Sequence, residues 1–249
     1  MIFDQEHSPN QSLVEHLVEL RFRLIRSAWA ILVGVLVCYH YSDLLFNIIR
    51  EPIAPYLPSG GLVFTAPADK FIAHLKISFF GGVLLTCPIW IYQIWRFVAP
   101  ALYAKEKKFS LGFIFAGTSL FISGVVFVYF AVFPMAFKFL MGYGGDVDKP
   151  MITIDQYISF FVTTTLMFGL AFEMPLVIVI LGMMDIVTAQ FLRAQRRFAV
   201  VIMAVVTAII TPPDLLSMLM MLGPMVLLFE IAILFVALFE KRKAKAQNF

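Results

Sequence analysis

Two carboxylates stand inside long apolar runs of this sequence. Glu173 lies in FGLAFEMPLVI, two positions before Pro175, and Glu230 lies in VLLFEIAIL. An ionisable group near the middle of a bilayer costs about 3 kcal/mol even on the lenient insertion scale. Each must therefore face protein or a water-lined cavity. Glu173 admits two readings. It could serve the Ala171 carbonyl that Pro175, lacking an N–H, leaves without a donor, or it could be a functional group. Glu230, nearer the end of its run, reads first as structural. A second constellation lies in polar flanks. Glu15 and Glu19 are one helical turn apart, and Glu106 is set in AKEKK. By spacing alone these are charges balanced by neighbours, Arg21 and Arg23 for Glu19 and the adjacent lysines for Glu106.

Other chemistries lack their residues. There is no GxxxxGK[ST] to cradle a nucleotide, no HExxH and no GxSxG. The histidines, His7, His16, His40 and His74, are scattered. Cys38 and Cys87 sit in apolar runs, outside any CxxC or Cys/His cluster, and read as small buried side chains. The GYGGD stretch at 142–146 superficially suggests an intramembrane aspartyl motif, but it lies in a polar loop without a second aspartate in an apolar run. The sequence thus predicts no enzyme, no metal, no cofactor and no nucleic-acid partner.

The elements that must position the carboxylates are apolar spans. Of the 249 residues, 61% are hydrophobic and 14% charged, against about 45–50% and roughly 25% in soluble domains. The excess must face lipid. Runs of roughly 20 residues suit bilayer crossings, and six are expected, near 25–41, 71–97, 109–140, 157–184, 198–211 and 215–239. The polar start, MIFDQEHSPNQSLVEHLVEL, lacks the basic region and short apolar stretch of a cleavable signal peptide. The proline-rich segment 42–70 predicts a structured loop with at most short helices. The third run is long enough to tilt or project, and the fifth is short.

Of the 19 lysines and arginines, 14 fall on the side of the termini and 5 opposite. Basic residues concentrate in cytoplasmic loops, so both termini are expected inside. The whole chain is one all-α polytopic transmembrane domain in this reading. Residues 1–24, 98–108, 185–197 and 240–249 would be cytoplasmic, and 42–70 external. Trp90, Tyr92, Trp95, Phe97 and Tyr103 read as an interfacial aromatic belt.

HLVELRFRL near the N-terminus, YQIWRFVAPALYAKEKK after the second span, AFEMP in the fourth and TPPD before the sixth occur in order. With six spans and both ends inside, the chain closely resembles TatC, the multi-spanning subunit of the twin-arginine protein translocase, over about residues 13–239. The resemblance implies a concave, lipid-open face in a bacterial inner-membrane protein. It also implies a receptor and assembly platform that binds twin-arginine signal peptides of folded cargo and recruits single-span TatA- and TatB-type subunits. It would self-associate and use the proton-motive force. Signal-peptide binding maps onto Glu19, Phe97 and Glu106. Guanidinium groups bond carboxylates bidentately, and lysine is a poorer geometric substitute. Arg21, Pro52 and Asp214 match organisational positions, and Glu173 matches the family's intramembrane carboxylate. Four positions after Asp214 the family often has a polar residue, where this chain has Met218.

Partner docking is expected on the short fifth span and the sixth, around Met203, Val206, Met218 and Leu222. Unbranched, adaptable methionines there would suit related partner helices. The alternative reading is a proton-coupled small-solute transporter with Glu173 as proton carrier, but no inverted repeat is visible. An intramembrane protease lacks a nucleophile motif.

Overall fold

In hydrocarbon a backbone must satisfy its own polar groups, so apolar runs fold as helices or closed barrels. This chain takes the first course. The structure is a computed structural model and describes residues 9–57, 61–98, 110–142, 151–210 and 215–247. Its helices are α1 (Pro9–His40), α2 (Ser42–Arg50), α3 (Asp69–Leu85), α4 (Cys87–Val98), α5 (Ser110–Phe127) and α6 (Phe133–Gly142), then α7 (Ile154–Phe172), α8 (Met174–Met183), α9 (Ala189–Ala194), α10 (Arg196–Ile210) and α11 (Leu215–Gln247). The all-α expectation holds among the described residues. β-Structure there is confined to one isolated parallel bridge, Val63 to Thr153, which ties the loop before α3 to the start of α7.

Among the described residues, four stretches are long and apolar enough to cross a membrane: Leu17–His40, Leu111–Gly142, Ile154–Met183 and Met218–Lys243. The pair Asp69–Leu85 and Cys87–Phe97, bent by 57°, makes a fifth. The remaining expected span, α10, has 15 residues. At 1.5 Å per residue it reaches about 23 Å, against a hydrocarbon core of about 30 Å.

Prolines account for three departures from straight helices. In the second span, Pro88 cannot donate to the Leu84 carbonyl, and the helix breaks at Thr86, whose hydroxyl donates to Gly82 O at 2.7 Å. In the third, a single π turn (Val128–Val132) precedes Pro134. Such a turn absorbs the missing donor and the ring's clash one turn back. In the fourth, the break falls on Glu173, immediately before Met174 and Pro175.

Glycines set how closely the helices cross. A Cβ on Gly82 would lie 2.7 Å from Val35 N, and one on Gly34 would lie 2.9 Å from Gly82 O, so α1 and α3 touch backbone to backbone. Gly124 of α5 likewise meets Phe168 O of α7 at 2.9 Å. Around these crossings α3 packs between α1 and α7, α5 lies on α7, and α8 and α10 rest on α11. The core is rich in phenylalanine, with Phe121, Phe133, Phe161 and Phe168 fully buried.

At the end of the molecule where α2 lies, the loops are tied down. Tyr157 OH donates to Ile49 O at 2.5 Å. Tyr129 OH, on the π turn, lies 2.9 Å from Ile48 O and 3.1 Å from Glu51 Oε2. These phenols serve carbonyls at the C-terminus of α2, where a helix leaves acceptors over; Ile48 O also accepts from Glu51 N at 3.2 Å. Lys76 Nζ of α3 reaches Asp155 Oδ1 (2.6 Å) and Ser159 Oγ (2.7 Å) of α7.

The aromatic belt is corrected in part. Trp95 is buried and stacks on Phe113, with centroids 4.3 Å apart. Trp90 packs edge-on against Phe121 and donates to Val83 O. Both rings face α5, because α4 turns inward after its bend. Tyr92 is exposed, as a belt residue should be, and Tyr103 lies outside the described residues.

Candidate functional site

The N-terminal part of α1 and the last turn of α4 meet at one end of the molecule. Val18, Glu19, Phe22, Arg23 and Arg26 of α1 and Arg96 of α4 line a cavity of about 350 Å3. Glu19 and Arg23 are four residues apart, so they share a helix face, and Arg23 Nη2 donates to Glu19 Oε1. The guanidinium is buried, with its side chain 10% exposed. Its Nε and Nη1 donors have no partner among the described residues. Glu19 is therefore an engaged carboxylate, and the residue engaging it is itself an arginine.

Phe97, half-buried, follows Arg96 at the end of α4. Glu106 and Asp214 lie outside the described residues. Arg21 is exposed on α1, away from the buried face that carries Arg23. Pro52 sits in the turn after α2 and, with Glu51 and Tyr129, lines a larger cavity of about 730 Å3 at the opposite end. The structure thus brings Glu19 to the end of α4 and keeps Pro52 far from both.

Glu173 sits at the junction of α7 and α8. Its N–H donates to Leu170 O at 3.1 Å, and its Oε1 is buried without a partner among the described residues. Room for the carboxylate comes from Gly117 of α5, where a Cβ would lie 3.3 Å from Glu173 Oε2. Ile91 of α4 and Leu176 of α8 close around the same glycine. Gln93 Oε1 and Thr118 Oγ1, on the same two facing helices, are also buried and unpartnered among the described residues. Gly117 was not legible as a site residue, since one sequence does not say which glycine faces a carboxylate.

Glu230 Oε2 accepts from Arg196 Nη2 at 2.7 Å, joining α11 to the start of α10, in keeping with the structural reading. Among the expected docking residues, Met203 is buried, 4% exposed, and packs in the chain's own core. It faces inward because α10 turns that side toward α11. Val206 is exposed, and Met218 and Leu222 are half-buried. The outward stripe of α10 is instead Val201, Ile202, Val205, Val206 and Ile209.

Comparison with known proteins bears on all of this. Residues 15–224 match the family model for the Sec-independent protein translocase protein (TatC). A protein of that name from Carboxydothermus hydrogenoformans is 41% identical over 233 residues, covering 93% of this chain and 95% of the relative. The one from Aquifex aeolicus is 37% identical over 238 residues, covering 95% and 99%. A crystal structure of the twin-arginine translocase receptor TatC in DDM superposes with a TM-score of 0.79 at 37% identity, covering 88% of this chain and 98% of that one. None of these similarities supports the small-solute transporter. They bear out the resemblance carried by HLVELRFRL, RFVAPALYAKE, AFEMP and TPPD: the chain belongs to the TatC family of Sec-independent protein translocase proteins.

Proposed function

We propose that this chain is the receptor and assembly platform of a twin-arginine translocase. It binds twin-arginine signal peptides of folded cargo at its cytoplasmic end and recruits single-span TatA- and TatB-type subunits for export driven by the proton-motive force. It lies in a bacterial inner membrane with six crossings and both termini inside. The observation that supports the receptor reading most is the Glu19–Arg23 pair beside the end of α4. A carboxylate there already accepts a guanidinium, so its surroundings suit that chemistry. An incoming arginine would exchange for Arg23 at Glu19, and a second would bond Glu106, with Phe97 offering an apolar contact. Charge-assisted bonds of this kind contribute about 1.5–3 kcal/mol each.

The test is capture of the purified protein by an immobilised twin-arginine peptide against a twin-lysine control. Selective capture is expected, and Glu106→Gln should weaken it strongly while membrane insertion is unchanged. Capture at wild-type affinity by Glu106→Gln would remove that residue from the site. Capture by both peptides alike would overturn the receptor reading.

For partner recruitment, support comes from α10, which is too short for an undisturbed bilayer and carries an apolar outward stripe. Thinning costs fractions of a kcal/mol per Å, and a neighbouring helix that tolerates thin membrane relieves it. Crosslinks to a single-span partner are expected from cysteines at Val205 and Leu219, both exposed. Equal crosslinking from Phe79 on α3 would defeat the assignment.

A further inference from the structure

We infer that the arginine cavity at the head of α1 is a binding site for the phosphate of an anionic phospholipid whose acyl chain runs down the outer face of that helix. Among the described residues, three guanidinium groups, Arg23, Arg26 and Arg96, line the cavity together with the carboxylate of Glu19. Arg23 donates Nη2 to that carboxylate. The Nε and Nη1 donors of Arg23 remain buried and unpartnered among the described residues. A buried charged donor without an acceptor is costly, and arginine presents donors suited to phosphate oxygens. Arg26 and Arg96 are both exposed at the cavity's rim, so a ligand can enter. Arg96 is also in the last turn of α4, where a cation complements the helix dipole. The site adjoins the one proposed for signal peptides and shares Arg23 with it: peptide recognition uses the Glu19 carboxylate, and the phosphate would use the arginine donors that Glu19 does not take.

Membrane lipid, rather than free phosphate, is favoured by what lies below the cavity. Phe22, Arg26, Trp29, Val33 and Leu36 follow one another at spacings of four, three, four and three along α1. They therefore form one stripe. Phe22, Trp29, Val33 and Leu36 are all exposed. From Arg26 to Leu36 the stripe descends about 15 Å, half of a hydrocarbon core of about 30 Å, which is the reach of one leaflet's acyl chain. Trp29 sits just below the arginines, at the level where its ring prefers the interface. Head chemistry and tail chemistry thus lie in line on one helix face.

The experiment uses the full chain in a neutral detergent, titrated with phosphatidylglycerol or phosphatidylcholine carrying brominated acyl chains, and read by tryptophan quenching. The glycerol lipid is expected to quench at concentrations at least tenfold lower than the choline lipid. Arg26→Gln/Arg96→Gln, two surface changes that leave the core intact, should raise the midpoint about tenfold. Trp29→Phe should remove most of the quenching, since Trp90 and Trp95 are turned inward against α5. Inorganic phosphate at millimolar concentration is expected not to displace the lipid. Equal midpoints for the two lipids, or an unchanged midpoint in the double arginine variant, would overturn the site. Quenching that survives Trp29→Phe would overturn the acyl path, and displacement by inorganic phosphate would make the site one for free phosphate and overturn the lipid assignment.

Discussion

Gly82→Ala tests whether the backbone contact between α1 and α3 fixes the helix crossing that holds the end carrying Glu19. The added methyl would lie 2.7 Å from Val35 N, 2.9 Å from Val35 Cγ2 and 3.0 Å from Gly34 C. Ordinary contacts of this kind sit at about 3.5–4.0 Å, so the two helices must separate by roughly 1 Å. Two of the three opposing atoms are backbone, and no side-chain rotation relieves them. Overpacking of this sort costs about 1–3 kcal/mol, a shift of roughly five- to 150-fold in the folding equilibrium at about 1.4 kcal/mol per tenfold. Helix propensity offsets up to about 1 kcal/mol, because alanine is the better helix former. Gly112→Ala is the matched control, since nothing lies within 4 Å of its would-be Cβ and only the propensity gain remains. Unfolding in mixed micelles, followed by circular dichroism, should show Gly82→Ala destabilised and Gly112→Ala unchanged or slightly stabilised. Because α1 carries Glu19 and α3 leads into α4, Gly82→Ala should also weaken twin-arginine peptide capture more than Gly112→Ala does. Equal stability of the two variants would refute the claim that these glycines set the helix crossing.

Tyr157→Phe removes the buried hydroxyl that serves Ile49 O, and it should cost about 1–3 kcal/mol by leaving that carbonyl unpaired, read in the same unfolding assay. Lys76→Met should cost less, about 0.5–1 kcal/mol, because the ion pair with Asp155 is more than one-third exposed on each side. The loss should shrink further at high salt. Glu173→Gln should preserve folding, whereas Glu173→Leu should lower stability by about 1–3 kcal/mol. The leucine places a branched, apolar side chain against the space that Gly117 leaves open, and thermal unfolding of the two variants side by side separates the cases.

What the sequence made legible follows from how local the physics is. Helices over 109–140 and 157–184 were readable because lipid forces an apolar run to satisfy its own backbone. The interruptions at Thr86, the Val128–Val132 turn and Glu173 each lie beside a proline, Pro88, Pro134 or Pro175. The second-span break and the π turn could have been placed from those prolines, but the runs were read as continuous because hydropathy ignores the missing donor. Trp90 and Trp95 were misread for a related reason. An aromatic near a polar boundary fits a belt equally well until the bend at Thr86 turns it inward. Glu19 and Arg23 were legible as a helical pair. The burial of Arg23 was not, since it depends on α4 arriving from seventy residues away. The burial of Met203, expected on the docking face, was not legible, because one face of α10 must cover α11 and a short apolar helix does not advertise which face that is.

The two ends of the molecule are stabilised in different ways, and the difference suits a receptor. At the end near α2, phenols from α7 and the π turn hold backbone carbonyls, a parallel bridge joins the loop to α7, and Lys76 clamps α3 to the same helix. These bonds are specific and mostly made to backbone, so they cannot be exchanged for a ligand without unfolding the loop. At the head of α1 the bond between Arg23 and Glu19 is of another kind. It joins two side chains on one helix, and breaking it leaves every backbone bond in place. An external guanidinium can take the place of Arg23 at Glu19, and the Nε and Nη1 of Arg23 remain for an external phosphate. Such an exchange requires the helices around it to hold still, which the glycine crossing between α1 and α3 provides. A rigid frame at one end and an exchangeable charge pair at the other is an arrangement that suits the receptor role proposed above.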